Sequence, residues 1–217
     1  MVHLRKSIIS WNRFNFNLLP HNLKNMNFIS VTILFIEALF LADLMSGVVH
    51  WLEDTYGNPN WKFLGLGKHV VVPNLVHHYR QRDLVKGNWF DRIWTSAVFL
   101  LIVLLILWAF GLVNQLVCLT FSIAVWGNEV HCWSHRSPKE NGKIITFLQR
   151  NYIIQSPKQH AKHHISPYAC DFCAMTPYLN PILEATKFWR ILEFILGIFF
   201  IKPNRGKECR MVDGKYY

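Results

Sequence analysis

Several common signatures are missing from this chain of 217 residues, and each absence narrows what it can be. Its five cysteines, Cys118, Cys132, Cys170, Cys173 and Cys209, are odd in number and irregular in spacing, so they lay out no disulfide framework. Cys170 and Cys173 form one C-x-x-C, but no second such pair completes a zinc site, and the cysteines read as packing residues. The absence of H-E-x-x-H argues against an intramembrane zinc protease. Gly65 and Gly67 are followed by no helix carrying Lys-Ser or Lys-Thr, so they make no nucleotide loop. No flavin, haem or iron–sulfur motif is visible. Acidic residues are scarce, 13 against 23 Lys and Arg, for a net charge of +10. That excess does not read as a nucleic-acid footprint, because the aromatics sit in apolar runs instead of interleaving with the cations. No nucleic-acid partner is expected. The basic N-terminus leads into a long apolar run without a small-residue cleavage site, so no cleaved signal peptide is expected.

What the chain does have is apolar length. Residues 1–27 read as a polar, basic lead-in. A first span runs from Phe28 to about Trp51, long enough to cross hydrocarbon and interrupted by Glu37 and Asp43. Intramembrane acids are costly and usually face the protein interior or a polar cavity. Residues 52–92 form a polar loop punctuated by glycine and proline, with a short helix over Leu75–Arg82. A second span, Ile93 to about Phe110, turns at 111–115 into a third, Leu116 to about Trp133. The remainder is too polar to span. Its amphipathic segment Phe188–Ile201 suits an interfacial helix, a buried helix or part of a re-entrant segment. The reading is an all-α integral membrane protein with three to four membrane-associated helices. Its membrane domain covers residues 28–206, and 207–217 is a solvated tail.

Eight of the eleven histidines fall into four groups beside these spans: His50; His77 and His78; His131 and His135; His160, His163 and His164. The crossings return all four groups to one face. That face carries 19 of the 23 Lys and Arg residues, which places it in the cytoplasm by the positive-inside rule. Imidazole is the commonest protein ligand for iron, zinc and copper. The separations of three and four residues stack side chains on one face of a helix, so H-x-x-H-H offers three imidazoles to one cavity. Asp54, four residues after His50, is a candidate ligand or acceptor, and Asn128, Glu129 and Asp171 are candidate acceptors for ligand N–H groups. Eight imidazoles are too many for one zinc with three protein ligands. Bis-histidine haem fits adjacent histidines poorly. Two irons activating dioxygen account best for the count, with electrons supplied from outside. A non-catalytic metal-binding or haem-binding membrane protein is the alternative from another class. His3, His21 and His69 are set aside as interface residues.

The stretches HWLEDTYG, HH at 77–78, NEVHCWSH and KQHAKHHISPY resemble the lipid desaturase family that includes plasmanylethanolamine desaturase. SPKQHAKHH with the following SPY is also similar to the plastid desaturase acting on palmitate of phosphatidylglycerol. The resemblance covers about residues 40–206. It implies a membrane-embedded non-haem di-iron enzyme using dioxygen and a donor such as cytochrome b5 or a ferredoxin. The family's eight histidines map onto the eight named above, and Asp54 matches its H-W-x-x-D acid. Val76 and Cys132 depart from the family pattern without touching a ligand position. The implied substrate is a membrane phospholipid, attacked either on its 1-alkyl chain to give a vinyl ether or on an acyl chain near the carboxyl end. Hydroxylation at the same metals is the runner-up. The short chain, with no organelle-targeting segment, suits a bacterial inner-membrane member.

Overall fold

A computed structural model describes residues 26–204 and the backbone of two short strands beyond them. The fold is helical. Its only β structure among the described residues is the pairing of Met211–Val212 with Lys215–Tyr216. The expectations for the rest of the tail and for the lead-in before residue 26 lie outside the described residues.

Helix α1 runs Phe28–Tyr56. The Asn27 side chain caps it by accepting from Ser30 N–H at 2.9 Å. It closes at Gly57, whose N–H donates to the carbonyls of Leu52 and Glu53. At 1.5 Å per residue its 29 residues reach about 43 Å, against about 30 Å of hydrocarbon, so the last turns emerge. Its buried residues, Ala38, Ala42, Asp43, Gly47, His50, Trp51 and Thr55, follow one another at steps of one, three or four positions and form one stripe. Gly47 is required there. A Cβ at that position would stand 2.5 Å from Cys173 Sγ and 3.2 Å from its backbone nitrogen. Asp43 faces the interior, as expected of an intramembrane acid. It accepts from the backbone N–H groups of Met175 and Thr176 and from the Thr176 hydroxyl, at 2.9, 3.1 and 2.6 Å. Glu37 is exposed on the outer face instead.

The 52–92 connection is more structured than a loop. A 3-10 turn at Phe63–Gly65 and a π-helical turn at Gly67–Val71 lead into α2, Val72–His77. The helix expected over Leu75–Arg82 therefore begins before Leu75 and ends at His77. Pro73 sits in its first turn, where a missing N–H costs nothing. After α3, Asp83–Lys86, helix α4 covers Trp89–Ala109 with a reciprocal Asn88–Asp91 cap. Helix α5, Gln115–Ala124, returns along α1, its main partner.

The continuous third span expected over 116–133 is in fact two helices. The chain tightens at Trp126, whose N–H bonds back to Ile123, and α6 restarts as Gly127–Ser134. The reason is a change of partner. The apolar α5 follows α1, whereas α6 is drawn toward α4 by a buried ion pair in which Arg92 Nε lies 2.5 Å from Glu129 Oε2. Gly127 of α6 lies beside Ser46 of α1. Helices α7 (Pro138–Arg150), α8 (Pro157–His160), α9 (Leu179–Ala185) and α10 (Phe188–Ile198) complete the chain.

Two helices, α1 and α4, are long and apolar enough to cross a membrane, and only 17% of each apolar window is buried. The core of a soluble protein would hide these surfaces. Here Phe35, Phe99, Leu101, Leu105 and Ile106 face outward. Both helices also carry residues built into the fold, so the chain is a membrane-associated helical protein.

Candidate metal centre

All eight histidine rings of the four groups meet at the C-terminal end of α1. Their ring nitrogens, one per side chain, form two sets. His77, His131, His135, His160 and His164 make one, and His50, His77, His78 and His163 the other. His77 belongs to both. In the first set the Nε2 atoms of His131 and His160 are 2.8 Å apart, His131–His135 and His135–His160 are 3.1 Å, and His160–His164 is 3.0 Å. In the second, His78 and His163 approach to 3.0 Å. Asp54 Oδ2 lies 3.3 Å from His50 Nε2, 3.5 Å from His78 Nε2 and 3.3 Å from His163 Nε2.

Local chain geometry explains the division. α6 presents His131 and, at its C-cap, His135. A Ser156–Gln159 capping box starts α8, but helical winding stops at His160. The chain then tightens into three-residue turns: Lys162 N–H bonds to Gln159, His163 N–H to His160 and Ile165 N–H to Lys162. H-x-x-H-H is therefore not one helical face. His160 and His164 serve the first set, and His163 turns away to the second.

The outward nitrogens of three rings are fixed by main-chain carbonyls. His50 Nδ1 faces the Phe172 carbonyl at 3.1 Å, His163 Nδ1 faces that of Cys170 at 2.8 Å, and His77 Nδ1 faces that of Asn74. A carbonyl only accepts, so each Nδ1 carries the proton and each Nε2 presents a lone pair inward. Asn74 also donates its amide to Asp54 Oδ1 at 2.6 Å and so orients that carboxylate. Tyr168 stacks on His78, with centroids 4.6 Å apart and planes 4° from parallel. Backbone acceptors have no side-chain signature, so the sequence could not show them. Asn74, a polar residue three before His77, was the one available signal.

Of the four polar candidates, only Asp54 lies among the histidines. Glu129 is occupied by Arg92, by Trp133 Nε1 at 2.9 Å and by Arg136 at 3.1 Å. Asn128 donates to the Arg92 carbonyl and to Ser96. The Asp171 backbone N–H donates to Glu184, and its carboxylate lies beside Cys170, whose thiol is pushed up to about 11 by burial and then by Asp171. Helical phase decides the Glu129 case, since two residues on α6 put it on the side opposite His131, toward α4; Asn128, three residues from His131, is taken instead by its hydrogen bonds to α4.

The donor set fits cations. His131, His135 and His160 place three Nε2 atoms within 3.1 Å of one another. Each neutral nitrogen either donates or accepts, so at least one pair in such a triangle cannot be a hydrogen bond. A central cation satisfies all three. Imidazole nitrogens about 2.0–2.1 Å from a first-row ion lie about 2.9–3.0 Å apart as right-angled neighbours, the spacing found here. His50 Nε2, His77 Nε2 and Asp54 Oδ2 are buried without a hydrogen-bond partner. Burial, and then the neighbouring imidazoles, lowers His135 to about 4 and His164 to about 2, and holds His77 and His160 well below the ordinary histidine value. Those four rings are thus neutral and free to ligate. Six are buried, while His135 and His164 form an open edge.

A membrane-associated helical protein with a buried polyhistidine centre is the class so defined. The chain belongs to the lipid desaturase domain family, whose model matches residues 39–206. It is 34% identical to a protein of Acanthamoeba polyphaga mimivirus named as a probable fatty acid desaturase, over 82% of this chain and 88% of the relative. It is 29% identical to plasmanylethanolamine desaturase 1 of Mus musculus, over 87% of this chain and 76% of that protein. It is 26% identical to the chloroplastic fatty acid desaturase 4-like 1 of Arabidopsis thaliana, over 77% and 57%. No solved structure matches. The relatives include viral, animal and plant proteins beside a bacterial one from Myxococcus xanthus, so similarity singles out no bacterial inner membrane. Membership does point to an oxidoreductase acting on a membrane lipid.

Proposed function

We propose that the chain is a dioxygen-dependent lipid desaturase with two irons, one in each histidine set, that forms a vinyl ether on the 1-alkyl chain of an ether phospholipid. The observation that carries this reading is the pair of nitrogen sets sharing His77, with spacings suited to first-row ions and one carboxylate, Asp54. The bound irons would supply dioxygen activation strong enough to remove hydrogen from an unactivated C–H bond. Overall, two hydrogens leave adjacent chain carbons. With two electrons from an external donor and two further protons, they reduce dioxygen to two waters.

The protein's own share is position. The Phe172, Cys170 and Asn74 carbonyls hold three imidazoles with lone pairs inward, which leaves no proton to be displaced from those Nε2 atoms. Buried His50, His131, His160 and His163 keep water from the inner side. The open edge at His135 and His164 is where a lipid chain reaches the centre. Arg82 braces that edge, donating to the His135 carbonyl at 3.1 Å and clasping Glu140 with both guanidinium nitrogens. The site lies at the emergent end of α1, level with headgroups, which suits attack close to the glycerol backbone. The excess of Lys and Arg beyond the first span favours a cytoplasmic face and a soluble or membrane-anchored donor such as cytochrome b5 or a ferredoxin.

The names of the viral and plant relatives favour a second reading, desaturation of an acyl chain at the same centre. Lipidomics of a host fed alkylglycerol, with and without the protein, separates the two. New vinyl ethers support the proposal. New acyl double bonds support the second reading. Hydroxylated chains or unchanged lipids overturn both.

A further inference from the structure

The segment from Phe188 to Asn204 is a hairpin with both ends tied to the emergent end of α1. At its start, Trp189 packs against Trp51 with centroids 5.9 Å apart, and Glu193 accepts from Trp51 Nε1 at 3.2 Å. At its end, Asn204 N–H donates to the Thr55 carbonyl at 2.7 Å, and its side chain donates to Tyr56. Between these anchors α10 runs outward and reverses. Ile201 N–H bonds back to the Leu196 carbonyl, and Phe200 takes the left-handed conformation at φ +61°.

The tip of this hairpin is apolar and uncovered. Gly197, Ile198, Phe199, Phe200 and Ile201 are all exposed, Phe200 by 90%, and Phe194 on the helix by 72%. The base is charged, with Lys187 before the helix and Lys202 after the tip. The only charge between Ile191 and Ile201 is Glu193, turned inward to Trp51 and Arg190. Eleven helical residues rise about 16 Å, close to half of a hydrocarbon layer about 30 Å thick. Water would meet five adjacent apolar residues at a price no soluble surface commonly bears.

We propose that Phe188–Asn204 is a re-entrant anchor that dips from the histidine end of α1 into the near leaflet, its tip among acyl chains and its base lysines at the headgroups. Leu192 and Leu196 of α10 pack against the same cluster as Leu44 and Val48 of α1, so the hairpin lies alongside the span. The N–H groups of Phe199, Phe200 and Ile201 are bonded to the Leu196 and Gly197 carbonyls, so these three donors enter hydrocarbon satisfied. The base is also coupled to the centre. Trp189 packs on Phe172 at 5.0 Å, and Phe172 lies 5.3 Å from the His163 ring and offers its carbonyl to His50. The anchor thereby fixes the depth of the histidines.

The test is spin labelling of the full chain in phosphatidylcholine vesicles, in a background where Cys118, Cys170 and Cys209 are replaced by serine. Single cysteines at Ile198, Phe199 or Phe200 receive the label, with Phe99 on α4 as the mid-membrane reference and Lys187 as the headgroup reference. The expected result is high collision with oxygen and low collision with a water-soluble nickel chelate. The depth should fall within about one helical turn, roughly 5 Å, of the Phe99 label. Nickel access equal to that at Lys187 would overturn the proposal. So would low access to both reagents, which would show the tip covered by protein. Three tip positions keep the test open if one labelled variant fails to fold.

Discussion

Removing the Glu129 carboxylate gives the sharpest test of how this fold is held. Arg92 and Glu129 are 6% and 8% exposed at their side chains and meet at 2.5 Å. Glu129→Ala would leave a buried guanidinium without its carboxylate, which costs about 3–5 kcal/mol. Trp133 Nε1 loses its acceptor as well. Arg92→Met costs less, because Glu129 keeps Arg136 and Trp133, but it gives up the donations to the Leu84 and Gly87 carbonyls that close the loop before α4. In the double variant Arg92→Met with Glu129→Ala, neither charge of the pair is stranded. It should be at least about 2 kcal/mol more stable than the sum of the single losses predicts. Equilibrium unfolding in detergent, followed by tryptophan fluorescence, measures all three. Because Glu129 is engaged away from the histidines, metal content per folded Glu129→Ala chain should equal that of the parent. Additive losses would refute the buried-pair argument. Metal loss in the folded fraction would refute the placement of Glu129 outside the centre.

Asp54→Asn removes the one carboxylate within 3.5 Å of three histidine nitrogens and is expected to lower metal content from the proposed two to about one per chain, read by elemental analysis. Asp171→Asn should leave that content unchanged. Gly47→Ala drives a methyl group into Cys173 Sγ and its backbone, and should cost about 1–3 kcal/mol in the same unfolding assay. His164→Ala should abolish desaturation in the lipidomic assay, whereas His69→Ala should not; an active His164→Ala chain would contradict the site. Arg82 hydrogen bonds hold Glu140 down at about 2. Its folded value lies below its unfolded one, so the clasp's stabilisation is complete above the ordinary glutamate value and is lost as pH falls from there through about 2. Melting temperature measured against pH should fall more steeply in this window for the parent than for Glu140→Gln.

Because hydrophobic length and imidazole chemistry are local properties, residue type and order were enough to mark the two long apolar helices and the gathering of four histidine groups at one end of them, though they also suggested a third crossing. They also singled out Asp54, one helical turn from His50. They could not say that Glu129 serves Arg92 while Asp54 serves the histidines. That depends on which way α6 faces, and α6 faces as it does because the chain breaks at Trp126 to follow a buried ion pair. Nor could spacing show that His163 parts company with His160 and His164, since the turns after α8 replace the helix that such spacing suggests. The carbonyls of Phe172, Cys170 and Asn74 were invisible for a simpler reason: every residue has one, and only the packed chain decides which of them meets a histidine.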